Sequence, residues 1–431
     1  MADGRVLARV AASIRARPVA RAAALLLLFF YSLAVLAPLI ANDRPYFVRD
    51  ASGAGGGRWP LFESLSRLDV FLILLWFLTL AALLFGRRRW ILGVALLVAL
   101  VFGAAPGRAT LAPSDWKERI AAGEFEAQSA VFPPIAFGFA ETNLAESYRP
   151  PTWLDSAEIS DAGAYVRGPR APVPDPVTGV VPAPSPVPVR AGEPARNSPW
   201  RHPLGADSLG RDVLARLVYG ARVSLAVGLL SAAALFALGV LVGAAAGYFG
   251  GWIDLLLSRG IEVVLCFPAF FLVLLVLASA DPRVLPPAVS IAFVIALVGW
   301  PSVARLVRAE VLRLRDADFV VAARALGASP LRALVAHVLP NALGPAIVAA
   351  FFAVGGGALV EAALSYLGFG VQVPIPSWGS LASESHHAGH WWLQLFPGLA
   401  ILVSVAGYNL VGEAVREALD PRLASRPEGA R

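Results

Sequence analysis

The chain has 431 residues, of which 57% are hydrophobic and only 15% are charged. Soluble domains carry about 25% charged residues, so this composition excludes an ordinary soluble protein and indicates one that crosses a membrane several times. The net charge of +6 lies mainly in short arginine clusters beside apolar runs, a pattern of membrane topology that disfavours nucleic-acid binding. Cys266 is the only cysteine, which excludes an intrachain disulfide and a cysteine metal cluster.

Eight apolar segments are predicted to be membrane-spanning helices, since a helix needs about 20 residues to cross the hydrocarbon core. They cover residues 22–41, 69–86, 90–105, 222–248, 260–280, 286–305, 343–366 and 392–414. The second and third are separated only by Gly86-Arg87-Arg88-Arg89, so we expect them to form a tight helical hairpin. The predicted fold is therefore an all-α polytopic membrane protein.

Arginine clusters predict the orientation of these spans, because cytoplasmic segments of membrane proteins are enriched in Arg and Lys. Such clusters precede the first span, separate the second from the third, follow the sixth and end the chain. An even number of spans with both termini in the cytoplasm satisfies every cluster. The alternative for the first apolar segment is a signal peptide, but Asn42-Asp43-Arg44 after it is not a small-residue cleavage site.

This topology divides the chain into five predicted regions. They are a cytoplasmic arm with the first span (1–41), an outer loop with the hairpin (42–105), an extracytoplasmic segment (106–200), a core domain (201–423) and a cytoplasmic tail (424–431). Residues 168–199 are Pro-rich and are expected to be extended and solvated, as a linker or as a ligand for a partner domain.

The stretch Asp316–Asn341, DADFVVAARALGASPLRALVAHVLPN, is polar enough to lie in water between two spans. Residues 320–326 are rich in alanine and valine, which predicts a short helix, and Gly327 predicts its end. We expect Arg324 and Arg332 to lie on exposed faces. An ordinary amphipathic loop is the competing interpretation.

A second short helix is predicted directly after this glycine. Ser329 indicates an N-cap and Pro330 the first helical residue. We expect this helix to stop near Val338, because a helix usually ends before the residue that precedes a proline, here Pro340.

The same stretch resembles the EAA loop of ABC-transporter permeases, whose core is Glu-Ala-Ala, then Gly, then an Ile-x-Leu-Pro ending. The matching residues are Ala322, Ala323, Gly327, Leu339 and Pro340. Val321 stands in the place of the glutamate and His337 in the place of the isoleucine. A contact through that glutamate is therefore not expected in this chain.

Four further stretches resemble the C-type permeases of dipeptide and oligopeptide ABC transporters. They are RHPLGADSLGRDVLARLVYGARVSLAVGL (201–229), GYFGGWIDLLLSR (247–259), LSYLGFGVQVPIPSWGSL (364–381) and NLVGEAVREALDPR (409–422). IANDRPYF, after the first span, is similar to the microcin-C-type branch of these permeases. The resemblance implies a six-helix, MetI-like importer permease core over residues 201–423, to which the hairpin 69–105 would be an N-terminal addition.

The resemblance implies the permease subunit of an ATP-driven importer for peptides or related solutes, in the bacterial inner membrane. The implied partners are a second homologous permease, two cytoplasmic ATP-binding subunits and an extracytoplasmic substrate-binding protein. ATP and Mg²⁺ would be bound by the partner ATPase, since this chain has no G-x-x-x-x-G-K-[ST] phosphate loop, and no cofactor is expected on this chain. The residues expected to couple to the ATPase are Ala322, Ala323, Arg324, Gly327, Ser329, Leu339 and Pro340.

Glu361 lies within the seventh predicted span, where charged groups are costly and often functional. Two roles stay open for it, a group on the translocation path or an interior hydrogen-bonding group. The resemblance also implies that two outer loops, 204–211 and 371–381, meet the binding protein. The candidate residues of these loops are Asp207, Arg211, Pro376 and Trp378, of which the first two are also suited to local ion pairing.

His386, His387 and His390 suggest a metal site, because HHxxH places two ligands on one helical face. An interfacial role for this loop is the competing interpretation, and no metal ligand is assigned. The alternatives to a peptide importer are a permease for nickel or another metal chelate, an ion-driven secondary transporter and a membrane scaffold. A secondary transporter would need an inverted repeat and paired intramembrane carboxylates. No catalytic constellation occurs in the sequence, so an enzyme is not expected.

Overall fold

A computed structural model describes residues 10–51, 57–85, 114–126, 129–144, 147–148, 150–151, 202–279, 286–387 and 390–419. In this part of the chain the regular structure is helical, with isolated β-bridges and no strand, so the all-α prediction is confirmed. The predicted span 90–105 and the Pro-rich segment 168–199 lie outside the described residues.

Contacts divide the chain into two units. The larger comprises Met1–Ile40, Leu65–Ala109 and Arg216–Arg431, and the smaller comprises Ala41–Ser64 and Thr110–Ala215. The five regional boundaries expected from the sequence stay predictions.

The principal helices are labelled in chain order. They are α1 (Pro18–Val35), α2 (Arg67–Phe85), α3 (Val213–Phe249), α4 (Gly251–Leu265), α5 (Ala269–Ser279), α6 (Pro287–Leu314), α7 (Asp318–Ala325), α8 (Pro330–Ala333), α9 (Gly344–Tyr366), α10 (Trp378–Ser383) and α11 (Trp391–Leu419). Shorter helices cover Ala37–Ile40, Pro60–Ser64, Trp116–Ala121 and Leu339–Ala342, and a 3-10 turn covers Glu384–His387.

Five helices are long and apolar enough to cross a membrane, namely α1, α3, α6, α9 and α11. Together, α4 and α5 pass the same test but bend by 89° at the break between them, as a broken span or a re-entrant loop does. The described residues therefore hold five or six candidate spans, against eight predicted from the whole sequence. The segment predicted as the second span is the helix α2.

The break between α4 and α5 corrects the predicted span 260–280. The first helix ends at Leu265 and the second begins at Ala269, with Pro268 between them. Proline has no N–H group and disfavours the helical conformation of the residue before it. The apolar run is therefore long enough for a span but is not one straight helix.

α3 and α6 approach closely because glycines recur at every fourth residue of α3. Gly239, Gly243 and Gly247 all face α6, since residues four apart share one face of a helix. An added Cβ at Gly243 would lie 2.4 Å from the carbonyl oxygen of Ala304. Small residues let membrane helices pack through their backbones in this way.

The start of α1 and the end of α11 lie on the same side of the larger unit. Ser13 Oγ donates to the carbonyl oxygen of Ala414 at 3.0 Å, and Arg17 forms an ion pair with Glu417. An even number of spans places both ends on one side of the membrane, and this contact agrees with that arrangement. The assignment of both ends to the cytoplasm stays a prediction.

The smaller unit includes the segment that leads into α3. His202 Nδ1 lies 2.8 Å from Asp212 Oδ2, and both side chains are fully buried. The other carboxylate oxygen of Asp212 accepts the N–H of Ala215 at 2.6 Å. This acceptor caps the first turn of α3, whose N–H groups have no partner within the helix.

Candidate functional site

The bent segment, residues 316–341, contains two short helices with a sharp turn between them, as the sequence predicts. After α7, Gly327 has a φ of +89°, a left-handed conformation that glycine adopts without strain. Gly327 N donates to the carbonyl oxygen of Arg324 at 2.9 Å, and Ala328 N donates to that of Ala323 at 3.0 Å. An added Cβ at Gly327 would meet nothing within 4 Å, so the backbone conformation, not crowding, favours glycine here.

The second helix of the bent segment begins as predicted but ends later. Ser329 Oγ caps α8 by accepting a backbone N–H at 3.4 Å, and Pro330 is the first helical residue. The predicted stop before Pro340 is wrong, because a π-helical turn over Leu334–Val338 leads into a new helical turn that has this proline as its second residue. A proline is tolerated there because the first residues of a helical turn need no N–H donor.

One face of the bent segment is buried against α3 and α6. Val320, Ala333 and Val338 are fully buried and share one apolar cluster with Val311 of α6 and Tyr248 of α3. Because close-packed side chains transmit strain, a displacement of the bent segment must also displace the ends of these two helices.

The opposite face exposes an apolar row, defined as Val321, Leu326, Leu331 and Val335, whose side chains are between 53% and 90% exposed. The guanidinium carbon of Arg324 lies 5.1 Å from the ring centroid of Tyr248, within the range of a cation–π contact. Among the residues predicted for coupling, Ala322, Arg324, Gly327, Ser329 and Pro340 are exposed, and Ala323 and Leu339 are partly buried.

Glu361 is fully buried between α3 and α9. Its two carboxylate oxygens accept hydrogen bonds of 2.7 Å from Ser224 Oγ of α3 and from Ser365 Oγ of α9. Ser224 Oγ accepts in turn from the backbone N–H of Trp378 at 3.2 Å. These bonds are the kind that the interior hydrogen-bonding role requires.

Asp207 and Arg211, predicted for an outer loop, are both buried within the smaller unit. Arg211 Nε donates to Asp207 Oδ2 at 2.7 Å, and Asp207 Oδ1 accepts the backbone N–H groups of Leu209 and Arg211. The predicted local pairing is confirmed. These side chains stabilise the loop from within.

Pro376 and Trp378, predicted for the second outer loop, are also buried. The large apolar side chains that the 367–377 loop exposes form instead an apolar tip, defined as Leu367, Phe369, Val373 and Ile375. Sequence reasoning missed this tip. The Gly and Pro residues of LGFGVQVPIP indicate a turn-rich loop, but this pattern does not distinguish the exposed Val373 from the buried Val371.

The histidine-rich loop gives no metal centre among the residues that the structure describes, where no three His, Cys, Asp or Glu side chains are grouped to hold an ion. The His390 ring stacks on Trp392 with centroids 4.6 Å apart, and burial lowers the pKa of His390. Glu384 forms an ion pair of 2.7 Å with Arg216. The side chains of His386 and His387 lie outside the described residues.

Residues 239–425, which include the bent segment and Glu361, match the family described as the binding-protein-dependent transport system inner membrane component. The dipeptide transport system permease protein DppC of Alkalihalophilus pseudofirmus is 41% identical over 226 residues, which are 52% of this chain and 73% of that relative. DppC of Bacillus subtilis is 37% identical over 225 residues, 52% of this chain and 69% of the relative. The glutathione transport system permease protein GsiD of Pectobacterium atrosepticum is 36% identical over 228 residues, 52% of this chain and 74% of the relative.

Among solved structures, the MetNI methionine ABC transporter in inward-facing conformations contains a similar chain. The similarity covers 48% of this chain and 96% of that one, with a TM-score of 0.40 and 18% sequence identity.

Proposed function

We propose that this chain, which belongs to the permease family of binding-protein-dependent peptide ABC transport systems, forms half of the membrane pathway of an ATP-driven importer. Its transported solutes are peptides or related compounds. The observation that carries the proposal is the bent segment, which is packed on α3 and α6 by one face and exposes the apolar row on the other. ATP hydrolysis is assigned to a separate subunit.

A cytoplasmic ATPase is the proposed partner of the apolar row. Val321 replaces the motif glutamate and is 53% exposed, so the proposed contact is apolar and has Arg324 and Arg332 at its edge. Since Val320 and Val338 bury the opposite face, motion of the ATPase would be transmitted to the membrane helices. A flexible loop would absorb the same motion.

The remaining proposed partners are a second homologous permease and an extracytoplasmic substrate-binding protein. The apolar tip of the 367–377 loop supports the latter, because Val373 is 66% exposed on a loop whose neighbouring residues Pro376 and Trp378 are buried. An exposed apolar tip on a well-packed base is suited to a protein contact.

The test compares two substitutions of Gly327 in vesicles that contain the chain, a partner permease, the ATPases and the binding protein. Valine at a left-handed residue costs about 1–2 kcal/mol, whereas asparagine tolerates this conformation better. We expect Gly327→Val to lower ATP-driven uptake and to raise the ATP hydrolysed per solute, with Gly327→Asn close to wild type. Equal uptake by both variants would overturn the coupling assignment.

The same vesicles separate the alternatives. Uptake driven by an ion gradient without ATP would contradict the ATP-driven proposal. Uptake of a nickel chelate in preference to peptides would replace the proposed substrate class and leave the importer assignment intact.

A further inference from the structure

The 367–377 loop and α10 are joined to two spanning helices by hydrogen bonds that meet at Glu361. This carboxyl group accepts from Ser224 of α3 and from Ser365 of α9. Through Ser224 it is also connected to the backbone N–H of Trp378, the first residue of α10. One buried side chain of α9 is therefore linked to α10, which follows it closely in sequence, and to α3, which is distant.

Close backbone packing fixes the same region at both ends of the loop. An added Cβ at Gly370 would lie 1.8 Å from Ser365 Oγ, and one at Gly379 would lie 2.2 Å from the carbonyl oxygen of Ala362. Neither position has room for a side chain, so the loop leaves α9 and returns to it at two closely packed positions.

Further bonds attach α10 to α3. The Trp378 indole is 1% exposed, and its Nε1 donates to the carbonyl oxygen of Leu217 at 3.0 Å. After α10, Glu384 accepts from Arg216 at 2.7 Å. The start of α10 and the turn after it are thus both bonded to the first part of α3.

Glu361 places an ionisable carboxyl group inside the spanning helix α9. An apolar side chain at residue 361 would avoid the cost of an ionisable group inside a span, and serine hydroxyls in a helix can bond to a carbonyl oxygen one turn earlier. Glu361 adds what those local bonds lack, a connection between helices. Glu361 lies near the base of the loop that exposes Val373 and Ile375, so this connection between helices also holds the loop.

We propose that Glu361 is a positioning residue that fixes the 367–377 loop and α10 to α3 and α9, so that the loop moves with these helices as one body. The consequence for transport rests on the proposed function, in which the apolar tip meets a binding protein. The attachment of the loop does not depend on it.

The experiment places a spin label at Val373→Cys in the full-length chain, with Cys266→Ala to remove the exposed native thiol. Electron paramagnetic resonance of the label in lipid nanodiscs reports loop mobility without any transport partner. We expect Glu361→Leu to abolish the immobilised component of the spectrum. Glu361→Gln should retain it, because an amide can accept from one hydroxyl group and donate to the other.

A matched label at Leu326→Cys, on the 90% exposed residue of the bent segment, should give the same spectrum in every variant. If Glu361→Leu alters that control too, the variant is misfolded and Ser365→Ala, which removes one of the hydrogen bonds to the carboxyl group, decides the question. An intermediate spectrum for Ser365→Ala supports the proposal, and an unchanged one overturns it.

Two outcomes separate this inference from the proposed function. Loss of uptake in Glu361→Leu with an unchanged Val373 spectrum would overturn the positioning role and assign the residue to the pathway. A mobile loop in Glu361→Leu, together with a wild-type chain that shows no ATP-driven uptake, would support the positioning role while the proposed function fails.

Discussion

Substitution of Gly243 by alanine should push α3 away from α6. The added Cβ would lie 2.4 Å from the carbonyl oxygen of Ala304 and 2.9 Å from Val307 Cβ, whereas ordinary van der Waals contact begins at 3.4 Å. The nearer atom is backbone and cannot rotate away, so one helix must move by about 1 Å to restore contact distance. Overpacking of this kind costs about 1–3 kcal/mol.

Gly356→Ala in α9 is the matched control, because a Cβ at Gly356 meets nothing within 4 Å. Both substitutions replace a glycine inside a helix and gain about 1 kcal/mol of helix propensity. Their difference therefore isolates the packing cost, and Gly243→Ala should unfold with a free energy about 1–3 kcal/mol lower than Gly356→Ala. The measurement is unfolding of the purified chain in one detergent, and equal stabilities would refute the inferred contact between α3 and α6.

Two further predictions concern charged pairs. Arg222 Nη2 of α3 lies 2.5 Å from Asp69 Oδ1 of α2. Asp69→Arg should therefore weaken cysteine cross-linking between α2 and α3, and the added substitution Arg222→Asp should restore it. A double variant that cross-links no better than Asp69→Arg would contradict this ion pair. Burial raises the pKa of Glu141 although Lys117 lies beside it, so the folded chain binds this proton more tightly than the unfolded chain does. The contribution of protonated Glu141 to stability is full below the pKa that this group has in the unfolded chain, and it is lost as pH rises through the higher pKa of the folded chain. Glu141→Gln should therefore flatten the pH dependence of the free energy of unfolding in that range.

Most of the spans could be predicted because a helix needs about 20 mainly apolar residues to cross the hydrocarbon core. The prediction 343–366 corresponds to α9, Gly344–Tyr366. The predicted span 286–305 covers only part of α6, which continues to Leu314 beyond the apolar run. The 89° bend between α4 and α5 has no hydropathy signal, and Pro268 was the residue that could have predicted it.

In the candidate site, features set by neighbouring residues could be predicted, and contacts between residues far apart in sequence could not. The turn at Gly327 and the restart at Pro330 could be predicted because a glycine C-cap and a proline at the first helical position act within a few residues. The contact of Glu361 with Ser224 could not, because Ser224 lies 137 positions away and a single sequence contains no record of which distant side chains meet. Distance along the chain does not explain why the burial of Asp207 was missed, since its partner Arg211 is only four residues away.

α3 connects the two surfaces to which function is assigned. Tyr248, near its end, packs in the cluster that holds the bent segment, and Ser224, nearer its start, bonds to Glu361 beneath the 367–377 loop. At a rise of 1.5 Å per residue these contacts are about 36 Å apart along one continuous helix. No proline interrupts α3, whereas α6 contains Pro301 and α11 contains Pro397, and proline is a common cause of kinks. In the proposed function, a tilt imposed at the bent segment would pass along α3, which has no proline-induced kink, to the helix end that is bonded to Glu361.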